Sequence, residues 1–324
     1  MKLLYLLASL TSLSLSASDL STYQLMLEQD KFRLLQQELG SDAALENKEL
    51  LVIQLKAMLG LRQSEQAEQL CKKALERYPQ DAELLHLAAV NQFNLAQDSS
   101  IFSAASYAKA GLALLKQAVA ADPKYLDAQQ TLIGFYLQAP SIAGGDEEEA
   151  RRLAKALSDT HQPEGTVVTI EVLIADDKLD DAVRLAEQQL LQHPNHSALL
   201  ATYAMLLTRK DDVAGAFSQY QKAITASKDL SEQQSYSYQL GRLAATSSAD
   251  PVLGQQALEG YLNFYQDSDH SKFDWAQLRL AQIYLRQQQN DKAEALLLQL
   301  KNKDSDDDKL TAELKKLQKQ LKKA

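Results

Sequence analysis

Residues 138–146 read QAPSIAGGD and run directly into the acidic stretch EEEA. A proline, a glycine pair and a carboxylate at a helix start suit two kinds of chemistry. One is a phosphate cradle built from free backbone N–H groups, the other a strained catalytic turn. A phosphate site needs those N–H groups free and no competing anion nearby. Here Asp146 takes the N-cap position with Glu149 three residues on, a capping box that would satisfy the N–H groups internally. Glu147, Glu148 and Glu149 would repel a phosphate, and no Lys-Ser/Thr pair follows the glycines. A joint between two helices accounts for more of the residues. Pro140 ends one helix, Gly144 and Gly145 permit backbone angles that a side chain forbids, and Asp146 opens the next helix.

The other groups able to do chemistry are scattered. His193 and His196 flank Pro194, a turn pattern, and His86, His161 and His270 have no Cys or Ser partner in sequence. Neither H-E-x-x-H nor G-x-S-x-G occurs. Cys71 is the single cysteine and sits on an apolar helix face in EQLCKKAL, which reads as a small buried hydrophobe rather than a nucleophile. The residues therefore predict no enzyme, no metal site and no cofactor. A net charge of -9 removes the basic surface that nucleic acid or anionic lipid would need.

The elements around these residues are helical. Only 11 Gly and 6 Pro punctuate 324 residues rich in Leu, Ala, Gln, Glu and Lys, all good helix formers. The beginning reads as a leader: Lys2 precedes an apolar, serine-rich stretch over 3–16 that is too short to span a bilayer. We expect residues 1–18 to be a signal peptide, cleaved near 16–18. The mature chain is then periplasmic, with no membrane insertion.

A helical period recurs along the chain. In residues 196–226, Leu200, Tyr203, Ala204 and Leu207 share one helix face, the pattern breaks at 210–212, and Ala216, Tyr220 and Ala223 resume it. The second-helix spacing returns at Ala67, Cys71, Ala74 and Pro79, at Gly111, Leu115, Ala118 and Pro123, and at Ala182, Ala186, Gln189 and Pro194. It returns again at Ala257, Tyr261 and Phe264 and at Ala293, Leu297 and Leu300. Small residues at fixed spacing let antiparallel helices approach closely. This alternation resembles the tetratricopeptide repeat, whose period is 34 residues. The loop at 139–145 is also similar to an AP-x-IAGG loop of exported bacterial members of that family.

The resemblance predicts an all-α, right-handed superhelical solenoid of antiparallel helix pairs. It divides the chain into N-terminal capping helices (19–47), about seven repeats (48–303) and a C-terminal capping helix (304–324). Insertions fall near 97–106, 140–144 and 247–254. The first two should neighbour each other, with Ile101, Phe102 and Ile142 forming a small apolar cluster, and Pro140, Ile142, Gly144, Gly145 and Asp146 shaping that edge.

The resemblance further implies that first-helix side chains line a concave groove. Those are His86, Val90, Phe93 and Asn94, then Gln130, Leu137 and Gln138, then Met205, Arg209, Tyr238, Arg242, Trp275, Gln282 and Arg286. Arginines with aromatics suit an acidic peptide or a terminal carboxylate. The pattern departs from the Lys/Asn carboxylate clamp of chaperone-binding members. The sequence thus predicts a scaffold or adaptor for a protein or peptide partner. The alternatives are a small-ligand or glycan-binding solenoid and a noncatalytic subunit of an envelope enzyme.

Overall fold

A computed structural model describes residues 17–39, 47–247, 249–303 and 305–322. The leader region before residue 17 lies outside the described residues. All regular structure among the described residues is helical. Helices α1 (Ala17–Glu28) and α2 (Phe32–Leu39) precede seven consecutive pairs. The pairs are α3 (Lys48–Gly60) with α4 (Ser64–Arg77), α5 (Ala82–Asp98) with α6 (Ile101–Ala121), and α7 (Leu126–Gln138) with α8 (Glu147–Thr160). Then follow α9 (Glu164–Ala175) with α10 (Leu179–Gln192), α11 (Ser197–Arg209) with α12 (Val213–Ala226), α13 (Leu230–Thr246) with α14 (Pro251–Phe264), and α15 (Phe273–Arg286) with α16 (Asn290–Lys301). Helix α17 (Asp308–Leu321) closes the array.

Each pair is welded by small residues buried between its helices. Ala67, Ala74, Ala118, Ala182, Ala186, Ala204, Ala216, Ala223 and Ala293 are all fully inaccessible. Deleting their Cβ neighbourhood of contacts would open voids, since interiors pack like organic crystals. Side-chain caps from Asn47, Asp81, Asp146, His196, Asp212, Asp229, Asp250 and Asp307 satisfy N–H groups at eight helix starts. The turn inside a short pair repeats as well. Arg62, Asp177, Asp211 and Gln288 each adopt positive φ, between 55° and 61°, at the joint of their pair. The capping pair α1–α2 has the same turn at Asp30, with φ 51°. The α5–α6 joint, only Ser99 and Ser100, dispenses with it, and the longer joint of the third pair uses Gly144 at φ 104° instead.

Three features differ from the sequence reading. First, the segment 97–106 adds no loop. It lengthens α5 and α6 to 17 and 21 residues, joined only at Ser99 and Ser100. Of the expected apolar cluster, Phe102 stands 93% exposed at the tip and Ile142 73% exposed, so these two do not pack together, and the Ile101 side chain lies outside the described residues. Second, the sixth pair packs in another register. Gly254, Leu258, Tyr261 and Tyr265 face inward, whereas Ala257 and Phe264 are only half-buried. A Cβ on Gly254 would come within 2.2 Å of the Ala244 Cβ, so glycine is the small residue of that contact. The joint of this pair is consequently shorter than the four-residue insertion read from Ala257.

Third, the capping box at Asp146 is half formed. Its carboxylate accepts from the Glu149 N–H at 3.0 Å, but Glu149 turns outward to Arg152 at 2.7 Å. The remainder of the loop is closed by backbone: Gly145 N–H donates to Pro140 O at 3.1 Å and Asp146 N–H to Tyr136 O at 2.9 Å. A Cβ on Gly145 would lie 1.7 Å from the Ala139 carbonyl oxygen.

Candidate functional site: the inner groove

Successive first helices touch one another, α3 with α5, α5 with α7, α7 with α9, α9 with α11 and α13 with α15, whereas second helices make no comparable contact with the next second helix. Same-type neighbours meet where the radius is smaller, so the first helices form the inner wall.

Two depressions lie on this wall. The first, about 540 Å³, is lined by Phe93, Ala96, Gln97, Thr131, Phe135 and Gln138 among others. Phe93 and Phe135 stack there with centroids 4.9 Å apart. The second, about 410 Å³, lies between α9, α11 and α13 and is lined by Glu171, Thr202, Met205, Tyr220, Tyr236, Gln239 and Arg242. A wider depression at Asn195, Ser218, Gln221 and Lys222 belongs mainly to the second helix α12 and lies off the inner wall.

The predicted groove residues divide between these places. Phe93 and Gln138 line the first depression, Met205 and Arg242 the second. Asn94 and Gln130 are half-buried on α5 and α7. His86 engages both ring nitrogens within the chain, with Tyr125 Oη at 3.2 Å and Thr131 Oγ1 at 2.9 Å, and burial lowers its pKa. Tyr238 is buried against Tyr261, centroids 5.3 Å apart. Trp275 donates its indole N–H to Asp307 at 2.8 Å and so ties α15 to the closing helix. Gln282 accepts from Arg279 at 3.0 Å. Arg209 is exposed at the end of α11, and Arg286 reaches back to the Ala244 carbonyl. Pro140, Ile142, Gly144, Gly145 and Asp146 shape the joint of the third pair, with Gly144 seated over Leu112 of α6.

Two residues of the site escaped the sequence reading. Arg279 stacks over Trp275 at 5.1 Å, and both Arg279 and Arg242 act electrostatically on the Tyr238 phenol. Its signal was present, because it lies one turn beyond Trp275 on the same helix. Glu171 was invisible in an acidic sequence. Desolvation raises its pKa, and no cation counteracts the effect.

Cys71 is buried and desolvation pushes its thiol up to about 12, which leaves it protonated and inert. Among the described residues no group of three His, Cys, Asp or Glu is placed to hold a metal, and no helix is long and apolar enough to cross a membrane.

The family profile of the tetratricopeptide repeat matches residues 256–321, which cover α14 to α17. These are tetratricopeptide repeats. Solved structures carry the likeness along the whole array. The APC/C heterotetramer Cut9–Hcn1 is similar over 96% of this chain at 12% identity, TM-score 0.52, and the chain spans 57% of that one's length. The human IFIT1 dimer with PPP-AAAA is similar over 94% of this chain and 71% of its own at 16% identity, TM-score 0.54. A tetratricopeptide repeat protein from Parabacteroides merdae ATCC 43184 aligns over 93% of both chains at 12% identity, TM-score 0.45. What the chain shares with the first two, at these identities, is the fold, a solenoid of stacked helix pairs. No curated protein matches the chain in sequence. Tetratricopeptide arrays typically act as noncatalytic scaffolds for protein partners.

Proposed function

We propose that the protein is an exported, noncatalytic scaffold that holds a segment of another protein in the groove formed by its fourth to seventh pairs. One observation carries this reading. Arg242, Arg279, Arg209 and Arg286 form no ion pair with a carboxylate among the described residues, although the chain is acidic. Arg33, Arg62, Arg151, Arg152 and Arg184 all do form one. A guanidinium left with amide partners keeps donors for an incoming carboxylate, which it binds through two parallel hydrogen bonds. Tyr220 and Tyr236 supply rigid contact area beside Arg242.

Export is supported by Lys2 and the apolar stretch over 3–16, and the periplasm is its simplest destination. The test is reversible crosslinking of the tagged protein in intact cells, followed by quantitative mass spectrometry. Arg242→Glu with Arg279→Glu is expected to reduce recovery of the partner at least tenfold while the melting temperature stays within a few degrees. Equal recovery from the double variant, or a chain retained in the cytoplasm, would refute the corresponding half of the proposal.

A further inference from the structure

The depression between α9, α11 and α13 has two ionisable walls of opposite sign, and the chain neutralises neither. On one side Glu171 extends from α9 into the depression. Its side chain is exposed at the rim, and no described residue donates a hydrogen bond to it or pairs with it. On the other side Arg242 extends from α13 and donates to Gln239 at 2.9 Å. Its field reaches the Tyr220 and Tyr238 phenols, and Arg279 reinforces it at Tyr238. Between the two charges lie Thr202 and Met205 of α11, one polar and one adaptable apolar contact.

This layout selects against a uniformly acidic ligand. An aspartate or glutamate satisfied by Arg242 would, on continuing along the wall, bring a second carboxylate onto Glu171. Like charges brought together there repel. A positive group at that point is attracted to the unpaired Glu171 carboxylate instead.

The spacing follows from helix packing. Neighbouring helix axes lie about 8–10 Å apart, so α9 and α13, two steps apart, are separated by roughly 16–20 Å. An extended chain advances about 3.3 Å per residue and covers that distance in about five to six residues. One turn of a helix, about 10–12 Å across with its side chains, would fill a depression of 410 Å³ before spanning it.

We propose that this depression binds an extended peptide of mixed charge, with a lysine or arginine against Glu171 and an aspartate, glutamate or terminal carboxylate against Arg242, about five to six residues apart. The inference rests on the groove reading above and adds the charge order and spacing of the segment it receives.

The test uses random twelve-residue peptides displayed on phage and selected against the full chain, against Glu171→Gln and against Arg242→Gln. Glu171→Gln keeps side-chain shape, Arg242→Gln removes the charge with a shorter polar side chain, and both are expected to leave the helices intact, which circular dichroism verifies. The wild-type chain is expected to enrich peptides with one basic and one acidic residue at that separation. Glu171→Gln should lose the basic preference alone, and Arg242→Gln the acidic preference alone. Each variant should bind the best wild-type peptide at least tenfold more weakly by fluorescence anisotropy. Purely acidic peptides, unaffected by Glu171→Gln and lost with Arg242→Gln, would overturn the mixed-charge inference and leave the groove reading standing. Enrichment insensitive to both substitutions, or none above that of the doubly substituted chain, would overturn both.

Discussion

The backbone N–H and the guanidinium of Arg33 both reach the Asp269 carboxylate, each at 3.0 Å, across 236 residues of sequence. Asp269 in turn donates its own N–H to the Asp30 carbonyl at 2.8 Å, and His270 pairs with the Asp30 carboxylate. The turn between α14 and α15 therefore meets the turn between α1 and α2. The superhelix comes round far enough to touch its own beginning, which bounds the groove on the side of the capping pair.

Asp269→Ala removes the carboxylate from this contact and is expected to loosen α1 and α2 without disturbing the repeats. The loss should be on the order of 1 kcal/mol, because Arg33 is largely exposed and its ion pair is screened. Hydrogen exchange read by mass spectrometry checks it. Faster exchange should be confined to residues 17–39, and unchanged exchange there would mean that the contact does not hold the cap.

Gly145→Ala places a methyl group 1.7 Å from the Ala139 carbonyl oxygen, so the joint must shift. A destabilisation of about 1–3 kcal/mol is expected from such overpacking. Gly260→Ala is the control, since nothing lies within 4 Å of its Cβ position on α14. It should stabilise by roughly 0.5–1 kcal/mol through helix propensity. Urea unfolding of the two variants measures the contrast.

The packing register of the sixth pair is tested by comparing Leu258→Ala with Phe264→Ala. Leu258 is fully buried and should cost about 2–5 kcal/mol, whereas half-buried Phe264 should cost less. The reverse order would restore the register read from Ala257.

These residues also mark what was legible beforehand. Six pairs were readable because alanine, glycine or a medium side chain at spacings of four and three is a local signature of close helix approach. Gly254 was overlooked because Ala257 imitates its slot three residues later, and only the 2.2 Å approach to Ala244 separates them. The lengthened α5 and α6 were not legible as helix, because Ser99 and Ser100 carry turn chemistry at the very point where two helices merely meet. Of the site, Arg242 and Met205 were reachable from the repeat register. Glu171 was not, because one carboxylate among 43 acidic residues is distinguished only by having no cation near it. The contact of Arg33 with Asp269 has no local pattern at all.

Asp176 supplies a pH dependence. Arg151 bonds its carboxylate at 2.6 Å, with Lys178 assisting, and holds its pKa at about 2, below an ordinary value of 3.8. The folded-state pKa is depressed, so the contribution is present above the unfolded value and is lost as pH falls through the window from 3.8 to about 2. Wild-type stability should decline more steeply in that window than that of Asp176→Asn, as urea midpoints at successive pH values will report.

The central claim is that the inner wall of the fourth to seventh pairs receives the partner. A photo-crosslinking amino acid placed at position 235, where Ser235 lines the depression on α13, tests it against the same probe at exposed Lys73 on α4. After irradiation of intact cells, position 235 is expected to give a discrete covalent adduct with a partner chain, and position 73 none. An adduct from position 73 with none from position 235 would contradict the account.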